Sequence, residues 1–407
     1  MIPLLFSLLV IAEILYSITR IESTSEAVDN VVIPYRFNDI IINQCEHSVE
    51  VLANLTNPMT QPWFVELSGV IENEMLTITV VMNVKIMKNS SIINHFNYSV
   101  FVNGEWYSNR NHRHKASEVL LQTYSIPQNK IGMRRMYITI RDNRNDIEYK
   151  NLPICIRKEL NPVDMGICTH VSKFNNVPEI TSWVIYHLSR GMDRIIIMIC
   201  TPYPELYELF DEEIQNGRVI LVHFEWPIPT FALSQRQYQA ASMTTCFHRY
   251  RRNVKTLFFV DVDEYIHSVS SPFNFKPILS SLINSGYDRA HMSNIFMVDG
   301  NNSCLNREEH FVKGDLFDVY NYQVMVSKDH RKKNVMFSSF DGTIGVHNGC
   351  CGGKTTHIHY DILRVGHFKR FTSKQSGVKN DSMTMYSESQ KENMKKIVSR
   401  HPHLFMI

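Results

Sequence analysis

Residues 256–267 read TLFFVDVDEYIH, and this stretch decides the class of fold. Its first half, TLFFV, is mostly apolar, as is typical of a strand that is buried on both faces of a parallel sheet. Asp261, Asp263 and Glu264 follow, so a buried strand delivers carboxylates at its carboxyl end. Side-chain alternation places Asp261 and Asp263 on one side and turns Val262 back into the interior. The sequence therefore predicts an α/β sheet with an acidic cluster at its edge.

Strand-like and helix-like segments alternate upstream of this stretch. The apolar run over 195–200 predicts another buried strand, and residues 178–191 predict a helix that ends at Gly191. Further helices are predicted over 203–217 and 234–251, with a strand between them. This alternation is typical of a doubly wound, mostly parallel sheet, in which ligands bind at the carboxyl ends of the strands.

Residues 30–160 follow a different pattern, in which apolar and polar side chains alternate with period two. The alternation is clearest over 74–87 and 135–142, and Asn103-Gly104 is a hairpin signal between two such runs. These features predict a β-sandwich-like N-terminal domain. The α/β domain is expected over 165–370, followed by a polar, partly helical tail over 371–407.

The charge balance limits the kinds of partner. The chain has 407 residues with 42 basic and 40 acidic side chains and no long basic block, which argues against a nucleic-acid-binding protein.

Residues 1–22 predict export. Their apolar run from Ile2 to Ala12 is followed by Glu13, which is typical of a signal peptide and also compatible with a marginal single-pass anchor. The protein is thus expected in the secretory pathway, anchored in the membrane or secreted if the leader is cleaved. Cys200 is expected to be a buried free thiol, and the other cysteines are available for disulfides without an assigned pairing. Sequons for N-glycosylation agree with export and occur at Asn54, Asn89, Asn97, Asn301 and Asn380.

The paired carboxylates Asp261 and Asp263 predict a metal site. Two carboxylates this close repel each other unless a cation lies between them. Hard divalent cations such as Mn²⁺ and Mg²⁺ bind carboxylate oxygens and keep open positions for phosphate oxygens. The spacing therefore favours a cation that binds a diphosphate leaving group, with Asp263 as the better direct ligand.

The chain resembles glycosyltransferase family 92, the nematode-rich family formerly called domain of unknown function 23. A strand followed by D-x-D in a luminal α/β domain is similar to the GT-A glycosyltransferases. The motifs that narrow this resemblance are E-x3-W-x2-YH over 179–187, Q-x-Q over 235–237 and DVDEY over 261–265, and the resemblance covers about 165–370. It implies a GT-A-like fold and a type II Golgi enzyme that transfers galactose from UDP-galactose with inversion, using Mn²⁺ (or Mg²⁺).

The resemblance also implies ligands for the metal and the donor. GT-A folds commonly take a further metal ligand from a histidine late in the domain, for which His347 is the first choice and His367 the second. Asp261 is expected to contact the donor as well as the metal. The other expected donor contacts are Lys173, Glu179, Arg364 and Arg370.

Inverting transfer needs a base that removes the proton of the acceptor hydroxyl. Asp299, Glu308 and Glu309 lie in the right part of the chain, and spacing does not choose among them. The expected partners are a UDP-sugar donor and a glycan or glycoprotein acceptor. Two alternatives remain open at this stage: a metal-dependent phosphohydrolase that uses the same acids, and a catalytically inactive luminal or secreted carbohydrate-binding protein on the same fold.

Overall fold

The computed structural model describes most of the chain from residue 63 onward. The predicted leader over 1–22 and all the sequons except Asn380 lie outside the described residues. Within the described part, no helix is long and apolar enough to cross a membrane. The described residues are 63–72, 75–83, 98–108, 114–116, 119–127, 135–143, 146–156, 160–172, 175–224, 235–268, 275–298, 307–324, 332–345, 347, 349–350, 353–368 and 377–405.

The N-terminal part is rich in β-structure, as the period-two pattern predicts. The strands described there form one eight-stranded, mostly antiparallel sheet in the order β4-β3-β7-β8-β1-β2-β6-β5. Strand β4 contacts β6, so the sheet curls back toward itself. Asn103 and Gly104 adopt the left-handed φ angles, 48° and 91°, that a tight hairpin requires. The strands are β1 (Trp63–Glu72), β2 (Met75–Asn83), β3 (Tyr98–Val102), β4 (Glu105–Ser108), β5 (His114–Ala116), β6 (Val119–Pro127), β7 (Arg135–Asp142) and β8 (Ile147–Ile156).

The following segment is the alternating α/β part. Its first strands are parallel in the order β11-β10-β9-β12, so the chain moves to one side of β9 and then returns to the other. The point where the order reverses lies between β9 and β12. The elements are β9 (Val163–Val171), α1 (Val177–Ser189), β10 (Arg194–Ile199), α2 (Glu205–Leu209), α3 (Asp211–Gln215), β11 (Val219–His223), α4 (Gln235–Tyr250) and β12 (Val254–Phe259).

The rest of the sheet is mainly antiparallel, so the sheet as a whole is mixed. Strand β16 pairs antiparallel with β12, and β14 continues on its far side. Strand β20 pairs with β14, and β13, which follows β12 in the chain, pairs with β20. The α/β class is confirmed. The elements are β13 (Glu264–Ser268), α5 (Lys276–Asn284), β14 (Arg289–Val298), α6 (Arg307–Lys313), α7 (Leu316–Val319), β15 (Tyr322–Val324), β16 (Lys333–Phe337), β17 (Thr343–Ile344), β18 (Gly349–Cys350), β19 (Thr355–His357), β20 (Leu363–Phe368), β21 (Gly377–Lys379), a 3-10 helix (Asp381–Tyr386), α8 (Ser387–Arg400) and a short 3-10 helix (Pro402–Leu404).

The apolar strands are buried on both faces because each face packs against a separate core. In β10, Ile195 and Ile197 pack in the core that contains α1, whereas Ile196 and Met198 pack in the core that contains α4. Strand β12 divides in the same way. This explains why these strands read as continuous apolar runs and do not alternate.

Helix α4 has neighbours on two sides. It packs on β9, β10 and β12 of the α/β sheet and also on β1, β2 and β6 of the N-terminal sheet. A disulfide joins Cys246 in α4 to Cys168 in β9. Cys200 is not disulfide-bonded, as expected, and it is half-buried and not fully buried; its sulfur lies 3.3 Å from His170 Nδ1.

The segment 203–217 is two short helices and not the single helix that its pattern predicts. Phe210 lies between α2 and α3 with φ −120° and ψ 25°, outside the helical region. Its ring is 1% exposed and packs in the core. The helix is interrupted at Phe210 because burying its ring in the core outweighs the helix propensity of the segment, which is only a weak preference.

Candidate functional site

The acidic cluster lies where a doubly wound sheet commonly binds its ligand. Asp261 follows the carboxyl end of β12, and His170 is near the carboxyl end of β9, so the two residues flank the reversal in strand order. His170 is buried, which lowers its pKa to about 4 although Asp261 acts in the opposite direction. A neutral imidazole thus lies beside the acids, within 3.0 Å of the Ser242 hydroxyl.

A tight turn presents the first two acids. The Glu264 N–H donates to the Asp261 carbonyl at 3.0 Å, and the Asp261 N–H donates to the Glu264 carboxylate at 2.8 Å. Val262 is 1% exposed and packs in the core, as alternation predicts. The side chains of Asp261 and Asp263 are 29% and 26% exposed, so both remain accessible at the edge of the sheet.

Both carboxylate oxygens of Asp261 face donors from distant parts of the chain. Oδ1 accepts from the Gln239 amide of α4 at 2.5 Å, and Oδ2 is 2.7 Å from the Lys333 ammonium of β16. These contacts fix the orientation of the Asp261 side chain before any ligand arrives.

Lys333 and Glu264 form a buried ion pair beneath the site. The ammonium of Lys333 is 2.8 Å from Glu264 Oε2, and the two side chains are 1% and 0% exposed. Burial alone would lower the pKa of Lys333, but Asp261 and Glu264 raise it above its ordinary value. Burial raises the pKa of Glu264, while Lys333 opposes that shift.

His367 lies between the two remaining carboxylates. Its Nε2 is 3.1 Å from Asp263 Oδ2, and its Nδ1 is 3.3 Å from Glu264 Oε1. Burial would lower the pKa of His367, but Asp263 and Glu264 together raise it. Nε2 and Oδ2 at this distance need either a hydrogen on Nε2, which would donate to the carboxylate, or a metal ion between them.

The charges of the cluster favour a divalent cation. The cluster contains three carboxylates, those of Asp261, Asp263 and Glu264, and one ammonium, that of Lys333. Its net charge is therefore −2 when His367 is neutral. Within the described ranges, no group of three or more His, Cys, Asp and Glu side chains is arranged to hold a metal ion. Asp263 Oδ2 and His367 Nε2 are a pair of donors that could hold a cation if a bound phosphate supplied further ligands.

The E-x3-W-x2-YH motif of α1 holds the strand that carries these acids. Trp183 donates its indole N–H to the Glu264 carbonyl at 2.8 Å, and the Tyr186 hydroxyl donates to the Ile266 carbonyl at 3.0 Å. His187 accepts the Ile266 N–H through Nε2 at 3.2 Å. The motif therefore anchors the backbone of β13, which begins at the acidic turn.

Glu179 lies at the start of the same helix and is 6% exposed. Its carboxylate accepts from the Asn175 amide at 3.2 Å, and its N–H donates to the N-cap side chain of Asn176 at 2.8 Å. These contacts cap α1. Donor binding by Glu179 stays a prediction.

Two other predicted ligands, Arg364 and His347, lie among the residues that the structure describes. Arg364 is buried in β20, and its Nε donates to His267 Nε2 at 2.9 Å. His347 is half-buried and follows β17, and the second-choice histidine, His367, contacts Asp263. This contact favours His367 as the candidate metal ligand, and the role of His347 stays a prediction.

The candidate bases Glu308 and Glu309 lie in the first turn of α6. Glu308 is exposed, and Glu309 forms an ion pair with Lys313 one turn later. Lys173, Arg370 and Asp299 lie outside the described residues. All these assignments stay predictions.

Several residues of the cluster carry little or no signal in the sequence. Gln239 lies near the Q-x-Q motif, and Glu264 is the third acid of DVDEY, so both carried a weak local signal. Lys333 and Asn294 come from β16 and β14 and have no motif of their own. Only the pairing of the strands brings them to the acids.

Of the comparisons with known proteins, the match to a family model agrees with the family suggested by the motifs. No curated protein matches the chain significantly. The crystal structure of S. aureus TarS 1–349 is similar at 7% identity and a TM-score of 0.25, over 44% of this chain and 48% of that one. A TM-score this low supports no inference about function. The family model of glycosyltransferase family 92 matches residues 163–339, which include the acidic turn, α4 and Lys333. Residues 163–339 are thus similar to the glycosyltransferase domain of family 92.

Proposed function

We propose that this glycosyltransferase moves galactose from UDP-galactose to a hydroxyl of a glycan or glycoprotein acceptor, with inversion and with a divalent cation, Mn²⁺ or Mg²⁺. The donor sugar and the stereochemistry rest on the family resemblance. The observation that carries the metal-dependent part is the 3.1 Å contact between Asp263 Oδ2 and His367 Nε2 at the edge of the sheet. We place the reaction in the secretory pathway, on the Golgi membrane if the leader over 1–22 is retained.

The donor pair fits a small divalent cation. Adjacent ligands of an octahedral ion, each at about 2.1 Å, lie about 3 Å apart, which agrees with the separation of the two donor atoms. The other nitrogen of His367 faces the buried Glu264 carboxylate at 3.3 Å, an arrangement common behind metal-binding histidines. A carboxylate with an imidazole is also a donor set that suits Mn²⁺.

The residues of the cluster then have distinct tasks. Asp263 and His367 would hold the cation, which supplies positive charge to the departing diphosphate. Asp261 is tied by Gln239 and Lys333 and still 29% exposed, so we assign it to a donor hydroxyl and not to the cation. A base must take the proton of the acceptor hydroxyl during inversion, and the proposed candidates remain Asp299, Glu308 and Glu309.

The test is UDP release by the full chain, expressed through the secretory pathway of a eukaryotic host. A panel of UDP-sugars is assayed with mixed glycan acceptors, with Mn²⁺, Mg²⁺ or EDTA. Asp263→Ala and His367→Ala are compared with Asp211→Ala, which removes an exposed acid on α3. We expect release from UDP-galactose that needs acceptor and cation and falls at least 100-fold in the first two variants only.

Other outcomes would change the proposal in different ways. Release from another UDP-sugar would overturn the donor and keep the cation site. Full activity in EDTA, or in His367→Ala, would overturn the metal assignment. Phosphoester cleavage without any acceptor would favour the phosphohydrolase. Glycan binding by folded protein, without release under any condition, would favour the inactive carbohydrate-binding protein.

A further inference from the structure

Glu264 is the most deeply enclosed acid of the cluster. Its side chain is 0% exposed, and each carboxylate oxygen faces two donors. Oε2 contacts the Lys333 ammonium and the Asp261 N–H, both at 2.8 Å. Oε1 accepts from the Asn294 amide at 2.8 Å and faces His367 Nδ1 at 3.3 Å. A carboxylate enclosed in this way has no oxygen left for a substrate.

The contact between Glu264 Oε1 and His367 Nδ1, at 3.3 Å, favours the tautomer of His367 that carries its proton on Nδ1. When Nδ1 carries a proton toward Glu264, Nε2 presents its lone pair toward Asp263. The backbone supports the same orientation, because Glu264 and His367 are paired across β13 and β20. The ring of Phe296 lies against the imidazole, with centroids 4.9 Å apart.

We infer that Glu264 is a positioning residue: through the His367 imidazole it sets the affinity of the domain for its divalent cation, without contacting the cation or the sugar nucleotide. This inference rests on the proposed function, in which His367 and Asp263 bind that cation. A purely structural role for Glu264 is the competing explanation, because it also pairs with Lys333. The two roles differ in one respect: a structural role changes stability but leaves cation affinity in the folded protein unaltered.

The test uses Glu264→Gln and Glu264→Asp in the full chain. The glutamine keeps the shape and removes the charge. Glu264→Asp keeps a negative charge near Lys333, so this variant is expected to fold. Its side chain is one methylene shorter, so its carboxylate lies farther from His367. Glu392→Gln, an exposed position of α8, is the matched control. Folding of each variant is confirmed by circular dichroism before any titration.

Cation affinity is measured by titrating Mn²⁺ and following the signal of the free ion by electron paramagnetic resonance, with and without UDP. We expect about 10–100-fold weaker Mn²⁺ binding in both Glu264 variants and no change in the control. In a His367→Ala background, Glu264→Gln should weaken Mn²⁺ binding no further, because its effect passes through that ring.

Wild-type affinity in a folded Glu264 variant would overturn the inference and leave the proposed function standing. An additional loss in the His367→Ala background would also overturn it, because Glu264 would then act by another route. Absence of Mn²⁺ binding by the wild-type protein, even with UDP, would instead remove the metal-dependent part of the proposed function and this inference with it.

Discussion

Replacing Lys333 by methionine tests whether the buried charges beneath the site are coupled as the structure indicates. Methionine keeps most of the length of the side chain, so the change removes the ammonium and leaves little cavity. Lys333 is 1% exposed and lies 2.7 Å from Asp261 and 2.8 Å from Glu264. Breaking a buried pair by removing one partner costs about 3–5 kcal/mol, since the remaining charge has no compensation. Two carboxylates share this ammonium, so we expect a loss of about 4–5 kcal/mol in the free energy of unfolding.

The assay is urea unfolding followed by tryptophan fluorescence, with Lys255→Met as the control. Lys255 makes an ion pair of equal length, 2.8 Å to Asp164, but its side chain is 67% exposed. Exposed pairs contribute little, so the control should unfold close to the wild-type midpoint. A loss below about 1 kcal/mol for Lys333→Met would refute the argument, because it would mean that water already compensates the two carboxylates.

Further predictions concern the frame around the site. His187 and His267 are buried, which lowers the pKa of each to about 3, so both are neutral in the folded protein. Their contribution to stability is therefore complete above the unfolded pKa of about 6.5 and is lost as the pH falls, by about 1.4 kcal/mol per pH unit for each ring. Urea unfolding between pH 4 and 6 should show a fall in stability to which His187, His267 and the buried His170 contribute, and His187→Gln should reduce the slope by about 1.4 kcal/mol per pH unit; an unchanged slope would contradict the assignment. The disulfide between Cys168 and Cys246 closes a separation of 78 residues, and replacing both by alanine should cost about 4 kcal/mol in urea unfolding, whereas a loss below about 1 kcal/mol would argue against its role. Trp183→Phe should cost about 1–3 kcal/mol, because it leaves a buried backbone carbonyl without its donor, and the slowed exchange of that indole N–H in NMR should identify the bond in the wild-type protein.

The elements that sequence predicts well are those whose signal is local. The apolar run over 195–200 predicts a strand between two cores, and the hairpin at Asn103-Gly104 needs only the conformational freedom of its two residues. The acidic turn after β12 is equally local, because Val262 must turn inward for Asp261 and Asp263 to face out.

The parts that sequence could not predict depend on contacts between distant strands. His347 and His367 both follow a glycine or a valine in short apolar segments, so their local patterns hardly differ. Only the pairing of β20 with β13 shows that His367 meets the acids. Lys333 is an ordinary basic residue in sequence, and its burial beneath Asp261 follows from the antiparallel pairing of β16 with β12.

Helix α4 packs on both sheets, and this limits how parts of the chain can be exchanged between relatives. Gln239, Ser242 and Cys246 recur at helical spacing and hold Asp261, His170 and β9, while other parts of the helix pack on the N-terminal sheet. An exchange of the β-rich part between relatives would therefore alter the support of the helix that orients Asp261. In a chimaera whose junction lies between β8 and β9, the N-terminal sheet and helix α4 would come from different parents. The residues of α4 that pack on the N-terminal sheet should then be taken from the parent of that sheet, because the two surfaces must fit each other.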